Sequence, residues 1–262
     1  MSTVLFLDSG VGGLSVWQET VARLPHSSYI YAFDNLFFPY GEKEDSTIIE
    51  RCCLLVRSIL RREHADMIVV ACNTASTVAL PALRAEFSLP VVGVVPAVKP
   101  AAAMSRSKVI GLLATPATVR RRYIDDLVAN FAADCTVVRL GSLELVQIAE
   151  EKMRSGMVSV DAVRACLRPL GNADGLDTLV LGCTHFPWLR SEIQECLGQG
   201  IACVDSGQAV ARRICSLLPP GEKSAANGGN AFRRAYQTDG SGDYRELFTR
   251  IGFGAPLLLR TD

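Results

Sequence analysis

Short apolar runs alternate along this chain with longer segments whose apolar residues recur at helical spacing. Runs bounded by polar or small residues predict buried strands at 4–7, 29–33, 67–71, 91–95, 109–114, 137–140 and 178–182. Apolar residues at every third or fourth position predict helices at 14–24, 46–64, 73–87, 116–131, 142–155 and 159–171. Strands alternating with helices of this length predict an α/β fold with mainly parallel sheets and helices on both faces.

The alternation restarts near the middle of the chain. Asp8 and Cys72, which follow the first and third predicted strands, lie 64 residues apart. Thr115 and Cys183, which follow the corresponding strands after the restart, lie 68 residues apart. Prolines and small residues cluster at 96–107, between the two sets. We therefore predict two structurally similar, doubly wound halves.

The carboxyl-terminal part follows neither half. Residues 219–230 are rich in Pro, Gly, Ser and Asn and predict an exposed loop. Apolar runs at 232–236 and 256–259 predict two more strands, which flank a short helix.

The composition is typical of a soluble globular protein. Apolar residues make up 49% of the chain, charged residues make up 21%, and 27 basic side chains balance 27 acidic ones. This balance does not indicate a nucleic-acid partner or an anionic membrane. The amino-terminal residues lack a basic segment ahead of an apolar one, and no apolar run reaches about 18 residues. We therefore expect no signal peptide, no transmembrane helix and a cytoplasmic location.

The nine cysteines fall into two classes. Their number is odd and no CxxC pair occurs, which favours free thiols over a disulfide framework. Cysteines in or beside predicted helices and strands are interpreted as small buried apolar residues, and these are Cys52, Cys53, Cys135, Cys166, Cys196, Cys203 and Cys215. Cys72 and Cys183 differ because each stands where a predicted strand meets a loop and small polar residues follow.

The surroundings of Cys72 and Cys183 mirror each other. Residues 69–74 read VVACNT and residues 180–185 read VLGCTH. In open α/β sheets, ligands bind at the carboxyl ends of the strands, so two such thiols predict a small substrate held between them. One thiol would remove a proton from one face of a carbon, and the other would return a proton to the opposite face. A helix beginning after each cysteine would favour the thiolate and supply N–H groups to a carboxylate.

The residues beside these motifs also allow other interpretations. Asp8 could cap the turn that follows it, and His185 could be a structural histidine. The glycine-rich run at 9–13 lacks both the Walker lysine and the GxGxxG spacing, so it is a weak indication of phosphate binding. Cys183 and His185 lack the spacings of a zinc site, and no metal is expected. Neither Cys72 nor Cys183 has the arginine six positions later that a thiol phosphatase requires.

Four segments together resemble the glutamate racemases of the aspartate/glutamate racemase superfamily. They are DSGVGGLS at 8–15, PYG at 39–41, ACNTAS at 71–76 and GCTHFP at 182–187. The resemblance implies cofactor-independent interconversion of L- and D-glutamate, which supplies D-glutamate for peptidoglycan.

The resemblance also implies the domain organisation. Residues 1–96 with about 210–262 would form one α/β domain, and residues 97–209 would form a second of similar fold. The active site would lie in the cleft between the two domains.

The same motifs imply roles for individual residues. Cys72 would take the proton from D-glutamate with the help of Asp8, and Cys183 would take it from L-glutamate with the help of His185. The positions that match substrate-binding residues are Asp8, Ser9, Pro39, Tyr40, Gly41, Asn73, Thr74, Thr184 and His185. Supporting positions are Asp34, Thr115, Thr118 and Glu150, for which Glu151 is the adjacent alternative.

The resemblance further implies which molecules the protein meets. Glutamate would be the substrate, and no cofactor would be needed. A peptidoglycan precursor activates part of this family, and a homodimer is compatible with it. Neither nucleic acid nor a membrane is expected as a partner.

Three alternatives stay open at the level of sequence. An aspartate or other amino-acid racemase of the same two-thiol type would share the mechanism and differ in the pocket. A non-catalytic amino-acid-binding protein would bind its ligand without exchange of the α-proton. A pyridoxal-phosphate racemase would need a Schiff-base lysine, and no lysine stands out for that role.

Overall fold

The computed structural model describes residues 2–218 and 231–260. The chain forms two compact units, one made of Met1–Val94 and Gly207–Asp262 and the other of Val95–Ser206. The loop predicted at 219–230 lies outside the described residues.

Ten strands occur in the described residues. They are β1 (Thr3–Asp8), β2 (Ser28–Phe33), β3 (Met67–Val70), β4 (Val91–Gly93), β5 (Val109–Ala114), β6 (Thr136–Gly141), β7 (Thr178–Leu181), β8 (Ala202–Val204), β9 (Arg233–Gln237) and β10 (Leu257–Leu258). The apolar runs at 232–236 and 256–259 therefore contain strands, β9 and β10, as predicted.

Twelve α-helices occur in the same part of the chain. They are α1 (Leu14–Val21), α2 (Asp45–Leu60), α3 (Asn73–Ser76), α4 (Leu80–Glu86), α5 (Val98–Met104), α6 (Pro116–Val119), α7 (Arg122–Phe131), α8 (Glu144–Ser155), α9 (Val160–Gly171), α10 (Arg190–Leu197), α11 (Gly207–Leu217) and α12 (Arg245–Arg250). Two 3₁₀ helices cover Tyr40–Glu42 and Phe186–Leu189. None of the described helices is both long enough and apolar enough to span a membrane.

Within the described residues, each unit contains one parallel sheet. The first unit has six strands in the order β10-β9-β2-β1-β3-β4, and the second has four in the order β6-β5-β7-β8. Every pair is parallel, and the central strands are buried, as expected for sheets covered on both faces. The order β2-β1-β3-β4 in the first unit corresponds to β6-β5-β7-β8 in the second. The predicted parallel α/β fold is confirmed.

The two halves also share the register of their central strand pairs. The Ala71 N–H donates to the Leu7 carbonyl at 2.7 Å, and the Gly182 N–H donates to the Leu113 carbonyl at 2.7 Å. Each donor immediately precedes a cysteine, so Cys72 and Cys183 hold equivalent places in their own sheets. In this strand order the direction of winding reverses between β1 and β3, where open α/β sheets bind ligands.

Two helices predicted as continuous are broken in the structure. The segment after Cys72 forms the short α3 and then α4, and Pro81 lies in the first turn of α4. Proline has no N–H to donate to a carbonyl four residues earlier, so it suits a helix start and not a helix interior. The segment after Thr115 likewise divides into α6 and α7, and Arg121 between them is extended.

The carboxyl-terminal segment belongs to the core of the first unit. Strand β9 pairs in parallel with β2, and Phe248 of α12 is fully buried. Its ring centroid lies 5.4 Å from that of Phe33 and 5.8 Å from that of Tyr31. These contacts anchor the segment through aromatic packing, which adds to the burial of apolar area.

Phe248→Ala should therefore lower the free energy of unfolding by about 3–5 kcal/mol, because it leaves a cavity among the aromatic rings. The matched control is Leu258→Ala, since Leu258 is 54% exposed and its truncation should change stability by less than about 0.5 kcal/mol. Urea denaturation measures both values. Equal stability of the two variants would contradict the anchoring role of Phe248.

Candidate active site

Asp8 closes the loop that follows β1. Its Oδ1 accepts the Ser9 backbone N–H at 2.7 Å, and its Oδ2 accepts the Gly13 N–H at 2.6 Å. Both Asp8 and Ser9 are buried. The carboxylate thus makes the capping contacts that the sequence allowed, and it brings negative charge to the end of the strand.

Gly13 permits the close approach of α1 to the peptide that precedes Cys72. A Cβ atom at this position would lie 2.7 Å from the Ala71 carbonyl oxygen and 2.9 Å from the Tyr31 hydroxyl. Real Cβ atoms essentially never come so close to backbone oxygen, so only glycine fits here without a shift.

Cys72 joins β3 to the short helix α3. It is buried and extended, with φ −134° and ψ 120°, and the buried Asn73 and Thr74 begin the helix. Because α3 has only four residues, it offers a few backbone N–H groups and little of the dipole expected from a long helix. The Asn73 Oδ1 is buried without a hydrogen-bond partner among the described residues.

Asp34 organises the loop after β2. Tyr40 donates its hydroxyl proton to Asp34 Oδ2 at 2.8 Å, and Arg51 binds both carboxylate oxygens at 2.8 Å. Burial raises the pKa of Tyr40 well above its usual value, and the nearby Cys52 and Asp34 raise it further, so the phenol stays protonated. The 3₁₀ helix that contains Tyr40 and Gly41, just after Pro39, contacts α3.

In the second unit, Cys183 lies beside a buried histidine and a buried glutamate. Cys183 Sγ is 3.8 Å from His185 Nδ1, and His185 Nε2 is 2.6 Å from Glu150 Oε2. All three side chains are buried, with Glu150 only 7% exposed. The three groups form a hydrogen-bonded chain from α8 to the end of β7.

The electrostatics of the Cys183–His185–Glu150 series favour a protonated histidine. Burial alone would lower the pKa of His185, but its hydrogen bonds to Cys183 and Glu150 and the charges of both groups raise that pKa well above its usual value. An imidazolium has an N–H donor at each ring nitrogen, which matches one acceptor on each side. His185 is therefore suited to share a proton with Cys183.

The structure distinguishes Glu150 from its neighbour. Glu151 is paired with Arg154, and both side chains are close to half exposed. Lys152, on the same helix, donates to the Trp188 carbonyl at 2.8 Å and to Glu192 Oε1 at 2.7 Å. This contact holds the 3₁₀ helix after His185 against α8, the helix that carries Glu150.

Thr115, Thr118 and Thr184 lie near the carboxyl ends of β5 and β7. The Thr115 hydroxyl accepts the Thr118 N–H at 3.3 Å and donates to the Thr118 hydroxyl at 2.9 Å. Thr115 is thus the cap of α6, and all three threonines are buried.

Each unit thus gathers its own share of the predicted residues at the carboxyl edge of its sheet. Those of the first unit are Asp8, Ser9, Asp34, Pro39, Tyr40, Gly41, Cys72, Asn73 and Thr74, and those of the second are Thr115, Thr118, Glu150, Cys183, Thr184 and His185. The nine cysteines all lie in described parts of the chain and are free thiols. Across residues 2–218 and 231–260, no group of His, Cys, Asp and Glu side chains is arranged to hold a metal ion.

Sequence reasoning missed Arg51, although a signal was present. Arg51 lies on the buried face of α2 among apolar residues, and a charged residue in an apolar stripe requires a buried partner. It also missed Thr238, which follows β9 and donates to Asp34 Oδ1 at 2.7 Å. A separation of 204 residues leaves no local pattern that could reveal this contact.

Comparison with known proteins identifies the family. The family described as Asp/Glu/Hydantoin racemase matches residues 14–214. The chain belongs to this family. It is similar to the glutamate racemase of Shewanella sp. (strain ANA-3), with 55% identity over 215 residues that cover 82% of this chain and 78% of that one. The glutamate racemase of Pasteurella multocida (strain Pm70) is 54% identical over 216 residues, which cover 82% and 80%.

A solved structure is similar to this chain over nearly its full length. Escherichia coli glutamate racemase, in complex with L-glutamate and the activator UDP-MurNAc-Ala, matches with a TM-score of 0.90 and 45% identity. The match covers 98% of this chain and 99% of that one.

The His185–Glu150 contact predicts a titration that NMR can follow. The pKa of His185 should lie well above the usual value of about 6.5, and Glu150→Gln should lower it because an attractive negative charge is lost. Glu151→Gln is the matched control and should leave the titration unchanged. With three histidines in the chain, the His185 imidazole resonance can be assigned by substitution. Identical titrations in Glu150→Gln and the unsubstituted protein would contradict the pairing.

The same contact predicts how stability depends on pH. Since the pKa of His185 is higher in the folded than in the unfolded chain, its stabilising contribution is complete below about pH 6.5. It is lost as the pH rises through the folded-state pKa. The free energy of unfolding, measured across this range, should therefore vary less with pH in Glu150→Gln. An unchanged pH dependence would contradict this assignment.

Proposed function

We propose that this protein interconverts L- and D-glutamate by a two-base mechanism that uses Cys72 and Cys183. One observation carries the proposal: two buried cysteines occupy equivalent positions after the third strand of each sheet, and one of them contacts a His–Glu pair. Membership of the racemase family and 54–55% identity to glutamate racemases support glutamate as the substrate.

In the L-to-D direction, the Cys183 thiolate takes the proton from the α-carbon. The C–H bond breaks, an S–H bond forms at Cys183, and negative charge develops on the substrate. The Cys72 thiol then gives its proton to the opposite face of the carbon and becomes the thiolate. The enzyme is left ready to bind D-glutamate, and the reverse reaction uses the thiols in exchanged roles.

The neighbouring charged groups assist the two thiols in different ways. His185, held by Glu150, shares a proton with Cys183 and balances the thiolate charge. In the first unit, Asp8 assists Cys72, and Cys72 accepts the proton from D-glutamate. A carbanion-like transition state also requires positioned donors for the substrate carboxylate.

The proposal assigns the substrate's polar groups to donors and acceptors of the predicted site residues. Asn73 Oδ1 has no hydrogen-bond partner among the described residues, so it suits an ammonium group, because a buried acceptor without a donor is costly. Backbone N–H groups and hydroxyls at Ser9, Thr74 and Thr184 suit the carboxylates, together with the segment Pro39, Tyr40 and Gly41.

The cellular role follows from the product. We propose that the protein supplies D-glutamate for peptidoglycan in the cytoplasm and that UDP-MurNAc-Ala activates it. The activator bound to the E. coli racemase supports this part of the proposal. Sedimentation of the purified protein tests whether it forms a homodimer.

The deciding experiment incubates purified protein with L-glutamate in heavy water, without pyridoxal phosphate, and with and without UDP-MurNAc-Ala. Circular dichroism should show loss of optical activity, and NMR should show deuterium entering the α-carbon. Aspartate serves as the parallel substrate, and faster racemisation of aspartate would favour an aspartate racemase. Glutamate binding without exchange would favour a non-catalytic binding protein.

Cysteine variants test the two-base assignment. Cys72→Ser and Cys183→Ser should each lower kcat/KM for racemisation by about 10²- to 10⁴-fold, because a hydroxyl is a much weaker acid than a thiol. The matched control is Cys196→Ser. Cys196 is a half-buried thiol on α10 outside the site, so this variant should keep normal activity. Full activity in either site variant would overturn the mechanism.

Isotope effects then assign each thiol to one enantiomer. Because the enantiomers have equal free energy, kcat/KM must be the same in both directions for every variant. In Cys183→Ser, proton transfer at residue 183 becomes limiting, so the primary isotope effect should rise with α-deuterated L-glutamate and fall with the deuterated D-isomer. Cys72→Ser should show the opposite pattern. The same pattern in both variants would contradict the assignment.

A further inference from the structure

The carboxylate of Asp34 is fully buried and makes four hydrogen bonds. Arg51 Nη2 and the Thr238 hydroxyl donate to Oδ1 at 2.8 Å and 2.7 Å. Arg51 Nε and the Tyr40 hydroxyl donate to Oδ2 at 2.8 Å each. Two donors at each oxygen complete the usual capacity of a carboxylate. Asp34 therefore acts as the hub of a network and not as a free acid or base.

Thr238 brings the carboxyl-terminal segment into this network. The adjacent contacts are equally specific: the Thr238 and Asp239 N–H groups both donate to Asn35 Oδ1 at 2.9 Å. The Asn35 amide donates in return to the Asp239 carbonyl at 2.7 Å. The family match ends at residue 214, so these contacts come from a part of the chain beyond it.

Arg51 holds the same loop from the side of α2. Its side chain is buried, and its guanidinium lies 4.3 Å from the centroid of the Phe37 ring. The planar guanidinium thus binds the carboxylate in a bidentate manner and packs against the loop between Asp34 and Tyr40. A lysine would reproduce the charge but neither the bidentate geometry nor the stacking.

The network determines what Tyr40 can offer to a substrate. The phenol is buried and donates its proton to Asp34, so its hydroxyl is directed into the interior of the first unit. The groups left for a ligand are those of the backbone at residues 39–41, beside α3 and the residues that follow Cys72. Through its hydrogen bond to Asp34, the phenol holds residues 39–41 in place.

We propose that Arg51 and Thr238 are positioning residues of the glutamate site: by fixing Asp34 they anchor Tyr40 and hold the backbone of residues 39–41 in its ligand-binding position. This inference rests on the proposed function. Arg51 and Thr238 both donate to Asp34, which in turn accepts the Tyr40 hydroxyl, so the proposal assigns the network to substrate binding and not to proton transfer.

The test measures KM, kcat and the primary isotope effect of Thr238→Val and Arg51→Lys with L-glutamate. Thr238→Val removes the hydroxyl that donates to Asp34 and accepts the Leu36 N–H. It should raise KM about 3- to 10-fold, with kcat and the isotope effect unchanged. Arg51→Lys should raise KM by about tenfold or more. Thr238→Ser keeps a hydroxyl and should retain the normal KM.

Matched controls separate positioning from general stability. Arg57 lies on α2 like Arg51, but it is exposed and pairs with Glu86 of α4, and Arg57→Lys alters that pair. Thr249→Val alters an exposed threonine of α12. Both should keep the normal KM. Tyr40→Phe combined with Thr238→Val should raise KM by less than the product of the single effects, because both act through Asp34.

The outcomes distinguish this inference from the proposed function. If Thr238→Val and Arg51→Lys lower the melting temperature but keep the normal KM, the residues are merely structural and the inference is wrong. Changed isotope effects would also overturn it, because the network would then act on proton transfer. If the unsubstituted protein does not racemise glutamate while it is folded and its thiols are free, the proposed function fails and the inference fails with it.

Discussion

The parallel pairing of β1 with β3, repeated by β5 with β7, is the constraint on which the candidate site depends. In each pair, the strands end at the same edge, and the N–H one residue before the cysteine bonds to the neighbouring strand at 2.7 Å. This register places Cys72 beside the end of β1, and it places Cys183 beside the end of β5. Because the winding direction reverses between these strands, their ends are not covered by a crossover connection.

The two units place different charges around equivalent cysteines. In the second unit, a histidine and a glutamate form a hydrogen-bonded chain from Cys183 to α8. In the first unit, the carboxylates of Asp8 and Asp34 are both occupied by donors from loops and from Arg51. Buried charges need partners, so each unit solves this requirement with a network of its own. The two cysteines therefore have different electrostatic surroundings although the folds around them are similar.

The sequence was most informative where the physics is local. Apolar runs predicted nine of the ten described strands to within a residue or two, and the three-residue β8 was missed. The central strands are buried on both faces and must therefore be apolar along their length. The prediction of continuous helices at 73–87 and 116–131 was wrong, since a turn interrupts each of them. The choice between Glu150 and Glu151 depended on which side of α8 faces His185, and only the fold decides that.

By itself, the sequence determined the alternation of strands and helices, the repeat of the two halves and the placing of a cysteine after the third strand of each. These features follow from patterns within short windows and from the spacing between them. Tertiary structure alone decided the partners of the buried charges: Glu150 for His185, and Arg51 with Thr238 for Asp34. The reason is physical, because a buried charge is satisfied by whatever donor the fold brings near, and Thr238 lies 204 residues from the carboxylate that it binds.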